Sequence, residues 1–349
     1  MNTAELEFNI IYTPDTARYL APLALTLLEY SDCRYRLIAN GCDADERAWL
    51  EKFCERDERL SYRCISEDGM IEHGDALNIL QAEHDGEWFC AMDSDILASG
   101  DFTEQLAGFS KDYDLMSSCL PVWCVDSDTV LKTGFGRLQG THVELECGIR
   151  IGCTYFIVYN NAVINEIRRT TGIGFERYYW EDLPAEHQQI IEKLGVRKTD
   201  YDTAIVMTLL LTDQGKRISY VDLPSLLHLG GISLAERNIS RQLVRGRVDR
   251  VAVRLRNTPL GRLVLKYGDF YYGNRYIVED VSQRERLDLA SRARRRGVAS
   301  QYFYTLLHAL VDGHHLPKLP FVGNKAVEDS LQFTSDKVTE LYRQPGIID

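Results

Sequence analysis

The chain has 349 residues and a mass of 39.9 kDa, room for one large domain with an appendage or for two domains. With 45% hydrophobic and 26% charged residues it is not a disordered, collagenous or coiled-coil chain as a whole. Lys and Arg number 40 against 52 Asp and Glu, and this net charge of −12 argues against a general polyanion binder such as a nucleic-acid protein.

Phe8–Tyr12 is a short apolar run and predicts a strand, ended by Thr13-Pro14-Asp15. Tyr19–Tyr30 has helical spacing. Tyr35–Ala39 predicts a second strand closed by Asn40-Gly41, and Asp43–Arg56 a helix capped by Asp43. Leu60–Ile65 predicts a third strand, Gly74–Glu83 a helix and Trp88–Met92 a fourth strand. Strands alternating with helices specify a mostly parallel sheet covered on both faces, with a ligand crevice at the carboxyl ends of the strands. Asp114–Cys119, a Gly-rich stretch 134–140, a strand at Thr154–Tyr159 and a helix over Asn161–Thr170 follow. Asp202–Gln214 reads as a helix, Ile218–Val221 as a strand, and Tyr302–Leu310 as a helix. The composition shifts near residue 235, so 1–235 and 236–349 are expected as separate regions, the second mainly helical.

Two motifs carry chemistry. Asp93-Ser94-Asp95 follows the fourth strand and delivers two carboxylates into the crevice, a donor set for Mg²⁺ or Mn²⁺. His228 follows another strand and precedes Gly230-Gly231, where a neutral imidazole can complete a sphere begun by carboxylates. An acidic turn and a plain loop histidine are the structural alternatives.

With these motifs in this order, residues 8–235 resemble a glycosyltransferase of the GT-A fold. Asp93-Ser94-Asp95 matches the DxD motif, and 73–95 and 215–233 are similar to two stretches of family 2. The resemblance implies a nucleotide-sugar donor, UDP-linked by preference, and a divalent cation held by Asp93, Asp95 and His228. It implies that Thr13, Asp15 and Asn40 border the base, and that His73, Gly74, Asn78, Asp93 and Ser94 border the rest of the donor. It also implies an Asp base for inversion: Asp202 first, Asp200 second, with Asp182 in the sequence Tyr178-Tyr179-Trp180-Glu181-Asp182 as competitor. Helix capping is the alternative role for Asp200 and Asp202. The aromatic residues of that stretch suit an acceptor sugar or ordinary packing. Residues 92–102 also resemble the retaining family 8, although its Lys-Pro-Trp after the histidine is absent. A nucleotidyltransferase would share the layout, but Thr13–Tyr19 lacks the Gly-rich basic loop that it needs. A non-catalytic nucleotide-sugar-binding module is the remaining class.

Residues 236–300 hold 16 basic and 7 acidic residues, a net +9 on an acidic chain. The segment 237–256 admits two readings: peripheral contact with an anionic membrane bearing a lipid-linked acceptor, or packing against the acidic region, including contact in a homo-oligomer. Nine scattered cysteines without a CxxC pair point to a reducing cytoplasm and away from zinc. The N-terminal residues have no basic leader with an apolar core, so no signal peptide is expected.

Overall fold

The computed structural model describes residues 1–124, 130–132, 142–145, 148–196, 198, 200–232, 255, 258–260 and 283–347. Its strands are β1 Glu7–Tyr12, β2 Arg34–Asn40, β3 Leu60–Ser66, β4 Trp88–Asp93, β5 Ile96–Ala98, β6 Leu115–Ser118, β7 Val130–Lys132, β8 His142–Glu144, β9 Arg150–Ile151, β10 Phe156–Asn160, β11 Tyr178–Tyr179, β12 Asp200–Tyr201, β13 Ile218–Tyr220 and β14 Leu226–His228. Seven of them form the central sheet in the order β13-β6-β10-β4-β1-β2-β3. β1 pairs in parallel with β2 and β4, and β2 with β3, as the near-continuous apolar runs require. β10 alone runs against its neighbours β4 and β6.

From β1 the chain steps outward through β2 and β3, then returns to β4 on the other side of β1. The strand order therefore reverses between β1 and β4, and the connections leaving their carboxyl ends diverge to leave a crevice. Thr13–Asp15 and Asp93–Asp95 both lie at that point.

Successive residues of a strand face opposite sides, and the core divides accordingly. Phe8, Ile10, Cys90 and Met92 face one cluster, while Ile11, Phe89 and Ala91 face the other. The second face is covered by the helices His73–Ala82, Asn161–Thr171 and Ile205–Asp213. The last of these is buried from Ile205 to Thr212, which is why its sequence is apolar all round. Asp43 caps the helix Ala44–Cys54 by accepting from Glu46 N at 2.8 Å, as its sequence predicts.

Two helices differ from expectation. The segment 19–30 is not one helix: Ala17–Leu20 and Ala24–Glu29 are separated by a 3₁₀ turn, Ala21–Leu23, at Pro22. The helix expected from Asp202 starts at Ile205, because Ala204 adopts a left-handed conformation (φ 64°) and Asp200–Tyr201 pair with Tyr178–Tyr179 instead. Asp202 thus lies in the connection and not on the helix.

The C-terminal helices Gln283–Val311 and Lys325–Tyr342 cover the first face. Phe303, Leu307, Leu331 and Val338 belong to the same cluster as Phe8 and Leu20, so the apolar core runs across residue 235. The Gly-rich stretch 134–140 and, apart from Leu255, the basic segment 237–256 lie outside the described residues. Among the described residues, no helix is long and apolar enough to cross a membrane.

Candidate metal centre

The turn after β4 carries Asp93, Ser94 and Asp95 into β5. β5 pairs antiparallel with β14 in a two-stranded ribbon, and its register sets His228 opposite Ile96. Two backbone bonds lock the ribbon to the sheet: Leu229 N donates to Asp95 O at 3.0 Å and Val122 N to His228 O at 2.9 Å. Backbone pairing alone therefore brings the two distant motifs together.

His228 Nε2 lies 3.1 Å from Asp95 Oδ1 and 3.5 Å from Asp93 Oδ2. Asp95 and His228 are 0% and 1% exposed, whereas the Asp93 side chain keeps 24% of its surface. Asp95 Oδ2 accepts from Ile232 N at 3.0 Å. His228 Nδ1 lies 2.9 Å from Cys119 O, and a carbonyl can only accept, so the Nδ1 hydrogen is placed there. Such a bond fixes the ring and leaves Nε2 to face the carboxylates. Cys119 turns its backbone to φ 66°, a costly conformation for a residue with a Cβ.

Asp95 Oδ1, His228 Nε2 and Ser94 Oγ are buried and have no hydrogen-bond partner of suitable geometry. The 3.1 Å contact between the first two is ionic: a neutral imidazole would set a lone pair against a carboxylate, so the space between them calls for a proton or a cation. Divalent metals with bonds of about 2.1 Å bring neighbouring ligand atoms to about 3 Å, so these residues fit Mn²⁺ or Mg²⁺. One ligand atom from each of Asp93, Asp95 and His228 falls within a 4.8 Å span.

The electrostatics agree. Burial pushes the Asp93 acid up to about 7, with His228 opposing and Asp95 adding to the rise. Burial works against the charged forms of Asp95 and His228, yet their mutual attraction prevails, so the carboxyl is lowered and the imidazole raised.

The other expected residues divide into two groups. The charge of Asp202 acts on both Asp93 and His73. Its Oδ1 accepts from Thr203 N at 3.0 Å. His73 Nε2 is 3.5 Å from Thr154 Oγ1, and burial holds the ring below the usual histidine range against the pull of Asp202. Asp15, with φ 64°, donates its N–H to Glu46 Oε2 at 3.1 Å, and Thr13 and Thr16 close a small turn beside it.

Gly74, Asn78 and Asn40 make structural contacts. A Cβ on Gly74 would sit 2.5 Å from Phe175 O, and Asn78 Oδ1 accepts from Phe175 N at 3.0 Å, so both seat the 174–176 segment. The Asn40 amide pairs with Ile71, donating to its carbonyl and accepting from its N–H, each at 3.0 Å. Asp182 is exposed on the 3₁₀ turn Trp180–Asp182, outside the cluster, while Asp200 lies in β12. Trp180 is buried, and Tyr178 OH donates to Glu176 Oε2 at 2.9 Å. Cys119, Ile232 and Leu229 are members of the site that the sequence does not announce. Of these, only Ile232 and Leu229 have a neighbouring signal, in the glycines between them.

No protein-family model matches the sequence, and neither does any curated protein. Among solved structures the chain is similar to the glycosyltransferase GlyE of Streptococcus pneumoniae TIGR4, at 10% identity over 62% of this chain and 45% of that one, with a TM-score of 0.33. It thus spans less than half the length of that relative. It is similar to the mannosyltransferase PcManGT of Pyrobaculum calidifontis, solved with GDP-Man and Mn²⁺, at 10% identity over 98% and 86% of the chains and a TM-score of 0.39. The inositol-1-phosphate CTP transferase of T. maritima matches at 12% identity over 65% and 89%, with a TM-score of 0.36. Likenesses of this degree leave the function to be argued from the chemistry of the site.

Proposed function

We propose that the chain is a metal-dependent glycosyltransferase. It moves a sugar from a nucleotide-diphosphate donor, UDP-linked by preference, to a hydroxyl of a glycan or lipid-linked acceptor in polysaccharide or glycoconjugate assembly. One observation carries this reading: Asp93, Asp95 and His228 converge at the strand-order reversal, with Asp95 Oδ1 and His228 Nε2 buried 3.1 Å apart and without a hydrogen bond of suitable geometry. That position is where an α/β sheet takes a ligand, and the donor set suits a divalent cation, which would supply positive charge beside a diphosphate.

A divalent cation bound there would neutralise charge on the departing diphosphate. Cys119 O holds His228 in one orientation, and Ile232 N holds Asp95 in another. Asp202 is the base. It takes the proton of the acceptor hydroxyl while that oxygen forms a bond to the anomeric carbon, and the bond to the phosphate oxygen breaks with its electron pair leaving on the diphosphate. Asp202 suits this role because it is partly exposed, off the helix, and within electrostatic reach of Asp93. A reducing cytoplasm fits nine scattered cysteines without a CxxC pair. In this reading the segment 237–256 meets the membrane face that carries the acceptor.

The test is thermal unfolding with UDP, GDP and CDP, each with and without Mn²⁺. A ligand that binds only the folded state raises the melting temperature. A shift that requires both nucleotide and Mn²⁺, and vanishes in Asp95→Asn, is the expected result. No shift with any nucleotide, from a folded sample that takes up Mn²⁺, would overturn the donor assignment.

A further inference from the structure

The chain leaves the helix Gln283–Val311 at Gly313, whose φ of 71° ends it, and enters the helix Lys325–Tyr342 at Asn324. Between them, residues 314–321 read HHLPKLPF. Eight large hydrophobic side chains are exposed among the described residues, and three of them lie in this segment: Leu316 at 40%, Leu319 at 36% and Phe321 at 78%, the most exposed of the eight. Single apolar side chains scattered over a surface need no explanation, but three close together in one loop do.

The segment is held at both ends. Before it, His314 N donates to Ala309 O at 2.8 Å. After it, Val322 is buried in the same core cluster as Phe303 and Leu331, and the N–H groups of Val322 and Gly323 donate to Glu328 Oε1 at 3.0 and 2.9 Å. Asn324 then caps the following helix by accepting from Val327 N at 3.1 Å. Phe321 and Val322 are neighbours, yet only Val322 enters the core. The tip is thus fixed in an outward position, and a partner that meets it need not order its ends.

Three observations select the partner. From Gly313 to Val327 the chain has no acidic residue, while His314, His315, Lys318 and Lys325 are basic, on a chain of net charge −12. Lys325 is engaged by Asp329 at 2.6 Å, but Lys318 is exposed in the middle of the apolar tip. Pro317 and Pro320 have no N–H, so the tip carries fewer backbone donors that would need water. The segment is also far shorter than the ~20–30 residues that each side gives to a stable protein interface. An acid-free, proline-stiffened apolar tip with a cation at its centre fits a lipid surface better than a protein.

We propose that residues 314–321 are an interfacial anchor for an anionic bilayer. Leu316, Leu319 and Phe321 enter the boundary between headgroups and acyl chains, and Lys318 meets the lipid phosphates. An anionic surface repels the acidic chain as a whole, so the acid-free tip also sets the side from which the protein approaches. This surface is separate from 237–256, and the inference does not depend on the donor assignment.

The experiment is co-sedimentation of the full chain with vesicles of phosphatidylcholine alone and of equal parts phosphatidylcholine and phosphatidylglycerol. Binding to the anionic vesicles and little to the neutral ones is expected. The double variant Leu319→Ser/Phe321→Ser should weaken it by about 10-fold or more, and Lys318→Gln by about fivefold at low salt. Thermal unfolding and Mn²⁺ binding should stay as in wild type, because the replaced side chains are exposed. In Phe321→Trp, which tests the tip even if the serine variant does not fold, brominated phosphatidylcholine in the anionic vesicles should quench fluorescence beyond the wild-type level. No binding by the wild-type chain, equal binding to neutral vesicles, or binding unchanged in the double variant would each overturn the anchor. So would self-association of the wild-type chain in sedimentation velocity that the double variant abolishes, since it would give the tip to a second copy.

Discussion

Asp93→Asn should stabilise the metal-free protein while removing its response to metal. Burial pushes this acid up to about 7, with His228 countering and Asp95 adding, although a free Asp titrates near 3.8. A carboxyl with a folded pKa above its unfolded one favours folding when protonated. That contribution is present at low pH and is lost as the pH rises from about 4 through about 7. At 1.36 kcal/mol per factor of ten, the ionised side chain costs the metal-free fold at most about 4 kcal/mol at pH 8. Asn mimics the protonated acid and removes that cost, so the variant should gain up to this amount in EDTA at pH 8, and less than half of it at pH 5. Mn²⁺ reverses the comparison: at a hundred times its Kd it stabilises wild type by about 2.7 kcal/mol, and the variant by little. Urea unfolding followed by tryptophan fluorescence, at both pH values and with either EDTA or Mn²⁺, measures all of these terms. A variant less stable than wild type in EDTA at pH 8, or one that gains as much from Mn²⁺, would refute the reasoning.

Cys119 holds φ 66° so that its carbonyl can fix His228. Cys119→Gly should cost under about 1 kcal/mol and keep Mn²⁺ binding, whereas β-branched Cys119→Val should cost 2 kcal/mol or more and weaken it, as read by urea unfolding and Mn²⁺ titration. Gly74→Ala forces a Cβ to within 2.5 Å of Phe175 O, a backbone atom, and should cost about 1–3 kcal/mol in urea unfolding. If the loss is under about 0.5 kcal/mol, the 174–176 segment is not held by this contact. Asp202→Asn should slow sugar transfer about 100-fold or more while Mn²⁺-dependent nucleotide binding stays within threefold of wild type, measured by product formation and calorimetry. An unchanged rate would take the base assignment away from Asp202.

The sheet was largely legible because its strands are buried on both faces and so carry near-continuous apolar runs. Phe8–Tyr12 and Trp88–Met92 needed no knowledge of their neighbours to be read. The helix cap at Asp43 was legible for the same reason, being settled by a bond three residues away. The cluster of Asp93, Asp95 and His228 was legible as a list of residues but not as a place. Asp95 and Ile232 lie 137 positions apart, and only the β5–β14 ribbon, two strands of three residues each, brings them together. Strands that short leave almost no periodicity in the text. The left-handed turns at Cys119 and Ala204 were not legible, because neither residue type favours that conformation and tertiary contacts impose it. Gly74 and Asn78 show a duty that spacing does not announce: their atoms seat the backbone of Phe175. The C-terminal region shows the same limit at larger scale. Phe303 and Leu307 identify a helix with an apolar face, but the shift toward arginine near residue 235 suggested a separate region. Composition reports where charge accumulates along a chain, whereas a core is defined by what is buried together. Here residues that close the core beside Phe8 and Leu20, among them Phe303 and Leu307, come from beyond that shift.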